Sequence, residues 1–357
     1  MPTITEAKHF FTKVAGALRS GVWVIQGTEG LYGEPIGLLF AGSEKQKAHV
    51  LGVAFDNEYN ETYLGKLYVW QIAFLLLVNR HECDIAMIEG SDLQRTIYQN
   101  KGDYFLPLWL KTQSTAPLPV ERSSFKDDLR IIRRFALSYE VTTETDKVDD
   151  FYQRMYRPMV NASHGESTIE IDFVHMKHLI AKGQCVLLLV IKESESIAGA
   201  LLILEETPRL WAIGVRDNKP AYRKYRAGTA AYFFAAEYLA TRGYSTVHLG
   251  MSRSFLNDGV LQYKSKFNQQ IIGIDHSGFI LKILEHRAAT DSFLKKNPFI
   301  YLREKSLYGA VFLDRDQSES EKYMEHLRKK YDIKGLAGLE FYVQDNSVGE
   351  FSRLTEY

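Results

Sequence analysis

The stretch CVLLLVIKESESIAGALLILEETPRLWAIGV runs from Cys185 to Val215. It contains three β-rich runs, CVLLLVI, IAGALLIL and RLWAIGV, separated by the short polar segments KESES and EETP. Branched apolar residues bounded by polar turns are typical of strands that follow one another in a sheet. The stretch therefore predicts an antiparallel meander of three strands.

The residues after this meander continue with alternating helix and strand patterns. AGTAAYFFAAEYLATRG favours a helix that stops at Gly243, and STVHLG favours a strand. SRSFLNDGVLQYKSKF predicts a turn and a short helix, and QQIIGID predicts one more strand. The predicted order is β-β-β-α-β-α-β, which belongs to the α/β class with mixed sheets.

The first half of the chain is predicted to have the same order of elements. GVWVIQG, PIGLLFAG and HVLGVAF are predicted as a meander, GKLYVWQIAFLLLVN as a helix, CDIAMIEG as a strand, LQRTIYQNKG as a short helix and YFLPLWL as a strand. When the two halves of the sequence are aligned so that Arg80 matches Arg242, the predicted strand from Ile85 to Ile88 matches Val247 to Gly250. We therefore predict two tandem units of one topology.

The joint between the units is predicted at TQSTAPLP and at the charged helix SSFKDDLRIIRRF, where Ser124 and Asp127 form a capping-box-like start. The second unit should open with a helix in DDFYQRMYRPMVNASHG that is broken at Pro158. The predicted domains are an N-terminal degenerate unit at 1–120, a linker helix at 121–148 and a C-terminal unit with the site at 149–357.

Composition narrows the class of protein. A chain of 357 residues with 45% hydrophobic content can support two cores, and its 44 basic and 44 acidic residues give no global field for nucleic acid or an anionic membrane. Cys83 and Cys185 lie in apolar segments and are expected to be free thiols. We find neither a targeting pattern nor an apolar run of membrane-spanning length, so a cytoplasmic protein is expected.

The two lysines of SRSFLNDGVLQYKSKF differ in their predicted surroundings. If Asp258 caps a helix with about 100° per residue, Lys264 falls within an apolar stripe and Lys266 falls on the opposite, solvated side. A lysine on a buried face either extends its ammonium to the surface or serves a function. The stripe consists of Val260, Leu261, Tyr263 and Phe267.

The segment KPAYRKYRAGTAA is the second candidate site. Arg223, Lys224 and Arg226 lead into Gly228 and into the N-terminal end of a predicted helix. Cations, a permissive glycine and free helix N–H groups together suit a phosphate or pyrophosphate. The alternative is a solvated basic loop. The sequence contains none of the motifs G-x-S-x-G, H-E-x-x-H or GKS/GKT, so we expect no hydrolase triad, no metal site and no nucleotide P-loop.

These motifs resemble the GNAT acyltransferase superfamily, in its tandem branch typified by the Fem-type peptidoglycan aminoacyltransferases and the related FemAB-like proteins. In that branch a strand ending in glycine precedes a D-G-[aliphatic]-x-x-[Phe/Tyr]-K segment. Here Gly250 ends the strand, and Asp258 to Lys264 match the segment. The order of elements and the Gly228-x-Ala230 helix start also fit. The resemblance is strong from about residue 122 to about residue 320 and weak in the first half.

The resemblance implies an N-acyltransferase that moves an acyl group to an amine, which could belong to a cell-envelope or polysaccharide precursor. Acyl-CoA is the favoured co-substrate, and no permanently bound cofactor is implied. Lys264 matches the family position whose ammonium stabilises the charge that develops during acyl transfer. The expected site residues are Lys264, Asp258 and His248 for catalysis, Arg223, Lys224, Arg226, Gly228 and Ala230 for the donor, and His164, Ser252, Arg253 and Tyr263 for the acceptor.

Alternatives remain open for the site and for the donor. Asp258 could be only a helix cap, and His248 could be a hydrogen-bonded core histidine. Members that bind coenzyme A usually carry Arg or Gln where this chain has Tyr225. The donor could instead be an aminoacyl-tRNA, although the sequence lacks the heptad pattern of the coiled-coil arm that often accompanies such enzymes. The chain could also be a non-catalytic binding module.

Overall fold

The structure is a computed structural model that describes residues 19–78, 83–164, 171–344 and 351–354. These residues form two mixed β-sheets with helices packed against them, which confirms the predicted α/β fold class. The strands are β1 (Arg19–Glu29), β2 (Pro35–Gly42), β3 (Phe55–Tyr68), β4 (Ile85–Ser91), β5 (Tyr104–Pro107), β6 (Leu110–Thr115), β7 (Ser138–Thr142), β8 (Cys185–Lys192), β9 (Glu195–Ile203), β10 (Arg209–Val215), β11 (Thr246–Ser252), β12 (Gln270–Ile274), β13 (Ser277–Ile283), β14 (Phe299–Arg303), β15 (Ser306–Leu313), β16 (Gly338–Gln344) and β17 (Phe351–Arg353).

The helices connect these strands and cover the sheets. They are α1 (Glu44–Ala54), α2 (Val69–Val78), α3 (Asp92–Tyr98), α4 (Ser123–Arg134), α5 (Thr145–Phe151), α6 (Arg157–His164), α7 (Phe173–Ala181), α8 (Pro220–Lys224), α9 (Ala227–Thr241), α10 (Gly259–Ser265), α11 (Ala288–Lys296), α12 (Arg315–Ser318) and α13 (Glu321–Lys330). A π-helical turn, Tyr152–Tyr156, joins α5 to α6, and a 3₁₀ turn, Arg216–Asn218, precedes α8.

The seven-stranded sheet has the order β12-β6-β11-β10-β9-β8-β7. β8, β9 and β10 follow one another in the chain and pair antiparallel, which confirms the predicted meander. Helix α9 packs across them, and its Ala227, Ala230, Ala231 and Ala235 are fully buried. Small side chains along one face let the helix lie close to the sheet. The helix start is therefore held firmly beside the end of β10.

The ten-stranded sheet has the order β17-β16-β15-β14-β5-β13-β4-β2-β1-β3. The two sheets exchange strands. β6, from the first half, inserts beside β11 and pairs antiparallel with it and with β12. β13, from the second half, inserts beside β4 and pairs antiparallel with it and with β5. The TQSTAPLP segment was expected to be a joint, and this was wrong for Thr112 to Thr115, which lie in β6.

Two predictions for the first half were also wrong. HVLGVAF was expected to be a strand, but it forms most of α1, whose N-cap Ser43 accepts a hydrogen bond from Gln46 N. The buried positions of α1 recur with the helical period, at Lys47, Val50, Leu51 and Ala54, and this spacing outweighs the apolar composition that suggested a strand. The third strand of the expected meander is instead the polar edge strand β3, so the predicted helix begins only after it.

The segment between the predicted units differs in detail from expectation. Arg122 occupies the N-cap of α4 without a side-chain capping bond, so the predicted capping box of Ser124 and Asp127 was wrong. Pro158 was expected to break a helix, but the chain stays helical through the π turn and into α6. A π turn widens the helix just before a residue that has no N–H to donate. The predicted boundaries at 120 and 148 stay predictions. In space, α4 packs into the core beneath the seven-stranded sheet.

Candidate active site

The seven-stranded sheet opens between its two parallel central strands. Within the described part of the chain, β10 and β11 form one residue pair in the ladder, Arg209 with His248. Beyond it, β11 forms a bulge at Gly250, whose φ of 79° lies in the left-handed region that favours glycine. Within the described residues, the two strands make no further ladder pairs toward their C-terminal ends. A gap of this kind leaves backbone groups of both strands available to a ligand.

The corresponding place in the ten-stranded sheet is closed. β2 and β4 are parallel and pair over four consecutive couples, from Leu38 with Ile85 to Ala41 with Ile88. At the end of β4, the Glu89 carboxylate accepts hydrogen bonds from the backbone N (2.7 Å) and the Oγ (2.8 Å) of Ser43. The two halves therefore differ at the position where the second one opens.

Lys264 lies at the opening between β10 and β11. Its residue is 2% exposed, and its Nζ donates to Met251 O at 2.9 Å and to Ser252 Oγ at 3.2 Å. A Cβ built on Gly250 would lie 3.9 Å from Nζ, so the glycine leaves room beside the amine. Burial lowers the pKa of Lys264 from 10.5 to about 7. The short helix thus presents a buried amine, partly protonated near neutral pH, to the end of β11.

Asp258 caps the helix that carries Lys264. Its carboxylate accepts a hydrogen bond from Leu261 N at 2.8 Å, which supports the capping role. Burial raises the pKa of Asp258, while its bond to Leu261 and the nearby Lys264 ammonium lower it. Leu261 is fully buried as predicted, whereas Val260, expected in the apolar stripe, is 39% exposed.

Lys266 was expected to be solvated, and this was wrong. Its side chain is 13% exposed, and its Nζ lies 2.8 Å from Asp128 Oδ2 and 2.9 Å from Thr229 Oγ1. The same Nζ lies 3.8 Å from the centre of the Tyr263 ring, and the Tyr263 hydroxyl lies 3.0 Å from Thr229 Oγ1. Burial lowers the pKa of Lys266, and the Asp128 carboxylate raises it. Tyr263 therefore belongs to a packed polar cluster beneath the helix.

The predicted donor loop lies at the start of α9. Arg226 is the N-cap of α9, with a left-handed φ of 60°, and its Nε forms an ion pair with Asp128 Oδ1 at 2.8 Å. Arg223 donates to Asn218 Oδ1 at 2.8 Å, and Lys224 is exposed. The first N–H groups of a helix lack carbonyl partners within it, so this end of α9 favours an anion.

The two small residues of this helix start have different surroundings. A Cβ on Gly228 would lie 3.7 Å from the Tyr263 hydroxyl and 3.9 Å from Val215 Cγ2, so a small residue there keeps the approach to β10 open. Ala230 is fully buried, and its N–H donates to Arg226 O at 2.8 Å. Ala230 thus contributes to packing under the loop, and its own N–H is engaged inside the helix.

His248 lies at the closed end of the gap. Its backbone N donates to Pro208 O at 2.9 Å, and its side chain is half-buried. Burial lowers the pKa of His248 below 6.5, and the nearby Arg209 and Lys111 lower it further, while Glu205 raises it. The imidazole is therefore largely neutral near pH 7 and able to accept a proton.

The predicted acceptor residues are only partly brought together. Ser252 is buried and bonded to Lys264. Arg253 stacks at 3.8 Å on the Trp109 ring and donates to Gln46 Oε1 at 2.9 Å, so it joins β11 to the first half of the chain. Burial lowers the pKa of Arg253 to about 10. The side chain of His164 lies outside the described residues.

Asp128 is the site residue that the sequence interpretation missed. It lies on α4, a segment expected only to link two units, and its partners lie about a hundred residues away in the chain. One signal was available. Phe125, Leu129 and Ile132 form the buried stripe of α4, and Asp128 falls within that stripe. A carboxylate on an apolar helix face needs a partner, and this alone would have drawn attention to it.

Two further properties concern the described residues only. Among them we find no group of three or more histidine, cysteine, aspartate or glutamate side chains arranged to hold a metal ion. No helix in these ranges is long and apolar enough to span a bilayer.

Comparison with known proteins finds one family model that is similar to part of the chain. Residues 120–265 match the family model described as Acetyltransferase (GNAT) domain. No curated protein matches the chain significantly. Among solved structures, L-PGS from Bacillus licheniformis aligns with 10% identity over 83% of this chain and 96% of that one, with a TM-score of 0.35. A GCN5-related N-acetyltransferase from Sphaerobacter thermophilus aligns with 11% identity over 74% and 77%, with a TM-score of 0.32.

The family match confirms the coarser part of the sequence interpretation. The matched segment contains α4, the meander, the loop before α9 and the short helix with Lys264. This segment is similar to a GNAT acetyltransferase domain, and the match confirms the predicted enzyme class, an acyltransferase. The structural likenesses are too distant to carry over a substrate or a partner. The FemAB-like branch, the acyl donor and the acceptor stay predictions.

Proposed function

We propose that the protein transfers an acyl group from acyl-CoA to an amine, with the reaction at the gap between β10 and β11. The observation that carries this proposal is the position of Lys264. Its buried Nζ lies 2.9 Å from Met251 O, beside the glycine bulge where the two strands part. A preorganised cation in a site shielded from water stabilises developing negative charge far better than a solvated one does.

The donor is held at the start of α9. Its phosphates lie against the helix N-terminus and the exposed cations Arg223 and Lys224. Arg226 also contributes, because its ion pair with Asp128 uses Nε and leaves the other guanidinium N–H groups to be shared with a phosphate. The acyl chain and its thioester carbonyl extend into the gap toward Lys264.

In the reaction, the acceptor nitrogen attacks the thioester carbonyl carbon. The new C–N bond forms, the C–S bond breaks, and the thiolate leaves and takes up a proton. Lys264 stabilises the negative charge on the carbonyl oxygen between these steps. The amine loses one proton, and His248 is the candidate base because its imidazole is neutral near pH 7.

The acceptor enters from the side where the two halves of the chain meet. Arg253 points there, stacked on Trp109 and bonded to Gln46 of the first half. We propose an amine of a cell-envelope or polysaccharide precursor, as the resemblance implied. The closed first-half sheet favours a supporting role for that half, because β2 and β4 pair where β10 and β11 separate.

Calorimetric titration with acyl-CoA and coenzyme A tests the donor. Arg223→Glu and Lys224→Glu should each weaken binding by about 1.5–3 kcal/mol, because contacts between cations and phosphates are charge-assisted. Arg226→Glu is less informative, since it would place a second carboxylate against Asp128. Arg242→Glu reverses a charge at the opposite end of α9 and is the matched control, with binding expected to equal that of the wild type.

The same experiment can contradict the proposal. Undetectable affinity for coenzyme A, together with retention of charged tRNA, would favour an aminoacyl-tRNA donor. Binding of acyl-CoA without turnover, in a mass-spectrometric screen of amines and amino sugars, would favour a binding module.

A further inference from the structure

Asp128 contacts three residues at two helix ends of the site. Oδ1 pairs with Arg226 Nε at 2.8 Å, at the N-cap of α9. Oδ2 pairs with Lys266 Nζ at 2.8 Å, at the C-cap of α10, and accepts from Thr229 Oγ1 at 3.1 Å, in the first turn of α9. A single carboxylate on α4 therefore ties the start of the donor helix to the end of the helix that carries Lys264.

The surroundings make these contacts strong. The side chain of Asp128 is 11% exposed and that of Lys266 is 13% exposed, so water screens their attraction weakly. The carboxylate separates two cations, which would repel each other across the space it occupies. Thr229 is buried and contacts both Asp128 and Lys266, which fixes their geometry further. Arg226 is half-exposed, but removing the charge of Asp128 would leave the buried Lys266 ammonium without its carboxylate partner.

The cluster controls the position of a short helix. α10 spans only Gly259–Ser265, so few backbone hydrogen bonds hold it. Asp258 fixes its first turn through Leu261 N, and Lys266 fixes its end through Asp128. Lys264 lies between these two anchors. The distance from its Nζ to the end of β11 therefore depends on both of them.

We propose that Asp128 is a positioning residue, which aligns the donor-binding end of α9 with the Lys264 ammonium on α10. This inference rests on the proposed acyl transfer for its catalytic part. Asp128 itself touches neither the donor nor the acceptor. It acts through Arg226, whose remaining N–H groups face the donor phosphates, and through Lys266, whose anchoring sets the place of Lys264.

Asp128→Asn tests the proposal, because it removes the charge and keeps the size of the side chain. Asp127→Asn is the matched control on the same helix, where the side chain is 62% exposed and pairs with Arg130 one turn away. Amide hydrogen exchange of residues 259–267 should be about tenfold faster in Asp128→Asn than in the control. Steady-state kinetics should show kcat lower by about ten- to a hundredfold and a higher KM for the acyl donor.

The outcomes separate this inference from the proposed function. If exchange and kinetics of the two variants are alike, Asp128 does not position the site. If exchange rises but kcat and KM remain at control values, its role is structural only, and the inference is wrong. If the wild type transfers no acyl group but exchange rises, the proposed function fails while the anchoring of α10 stands. Should Asp128→Asn not fold, Lys266→Gln removes the same anchor, and unchanged exchange of residues 259–267 in that variant would also overturn the inference.

Discussion

Replacing Lys264 by methionine should change both the stability of the protein and its pH dependence. Burial lowers the pKa of Lys264 from 10.5 to about 7. Between these two pH values, the lysine is mostly protonated in the unfolded chain and mostly neutral in the folded protein. At 1.36 kcal/mol per pH unit, this difference corresponds to roughly 5 kcal/mol of lost stability. The loss is absent above pH 10.5, grows as the pH falls, and is complete below about 7. Methionine keeps the unbranched stem and abolishes this dependence.

The net effect at pH 7 is smaller than this figure. Removing the amine leaves Met251 O and Ser252 Oγ without its hydrogen bonds, at about 1–2 kcal/mol each. Lys264→Met should therefore be more stable than the wild type by roughly 1–3 kcal/mol at pH 7. Between pH 7 and pH 9 the free energy of unfolding of the wild type should rise by roughly 2 kcal/mol relative to the variant.

Urea denaturation at pH 7, 8 and 9 measures these differences. The exposed Lys322 on α13 supplies the control, since Lys322→Met should keep the pH dependence of the wild type. Acyl transfer by Lys264→Met should fall by about 10²-fold or more, because a preorganised charge-stabilising group is lost. Parallel pH dependences of wild type and Lys264→Met would show that the amine is not held in a dry environment. Undiminished turnover would remove Lys264 from the reaction.

Two further predictions concern the contacts around the site. Lys266→Met should lower the free energy of unfolding at pH 7 by about 1–3 kcal/mol, because Asp128 and Thr229 lose a buried partner. This change is opposite in sign to that of Lys264→Met. A stability equal to that of the wild type in the same urea titration would contradict the prediction. We expect that neither of two separately produced fragments, residues 19–120 and 121–357, gives a dispersed amide NMR spectrum, because each sheet then lacks an internal strand. Production of both fragments together should restore the dispersed spectrum. A folded spectrum from either fragment alone would show that the exchanged strands are dispensable.

Local patterns in the sequence were enough to predict much of the structure of the second half. The meander from Cys185 to Val215 and the cap at Asp258 depend on residues close together in the chain, so composition and spacing were sufficient. The same spacing placed Lys264 on a buried face, and the structure confirms this. Near the end of α10, the partner of Lys266 lies on α4, and no local pattern distinguishes a lysine in water from one paired with a distant carboxylate.

Predictions failed where a segment fits both the helical and the strand pattern. They also failed where a strand from one half of the chain pairs in the sheet of the other half. HVLGVAF is mostly apolar, as a buried strand would be, but its buried positions recur with the helical period. β6 carries polar residues and lies before a proline, so it resembled a linker until its pairing with β11 was seen. Contacts between halves, such as Arg253 with Gln46 and Trp109, are likewise invisible in one sequence because they depend on how the sheets meet.

The exchange of β6 and β13 between the sheets also determines when each sheet can finish folding during synthesis. β4 leaves the ribosome with one of its two neighbours still to be made, and that neighbour ends only at Ile283. At about 5–20 residues per second, the wait between Ser91 and Ile283 lasts roughly 10–40 s. During that time the apolar edge of β4 is open to pairing with other chains. The nascent protein should therefore depend on chaperones until β13 has emerged, even though each helix and hairpin forms quickly.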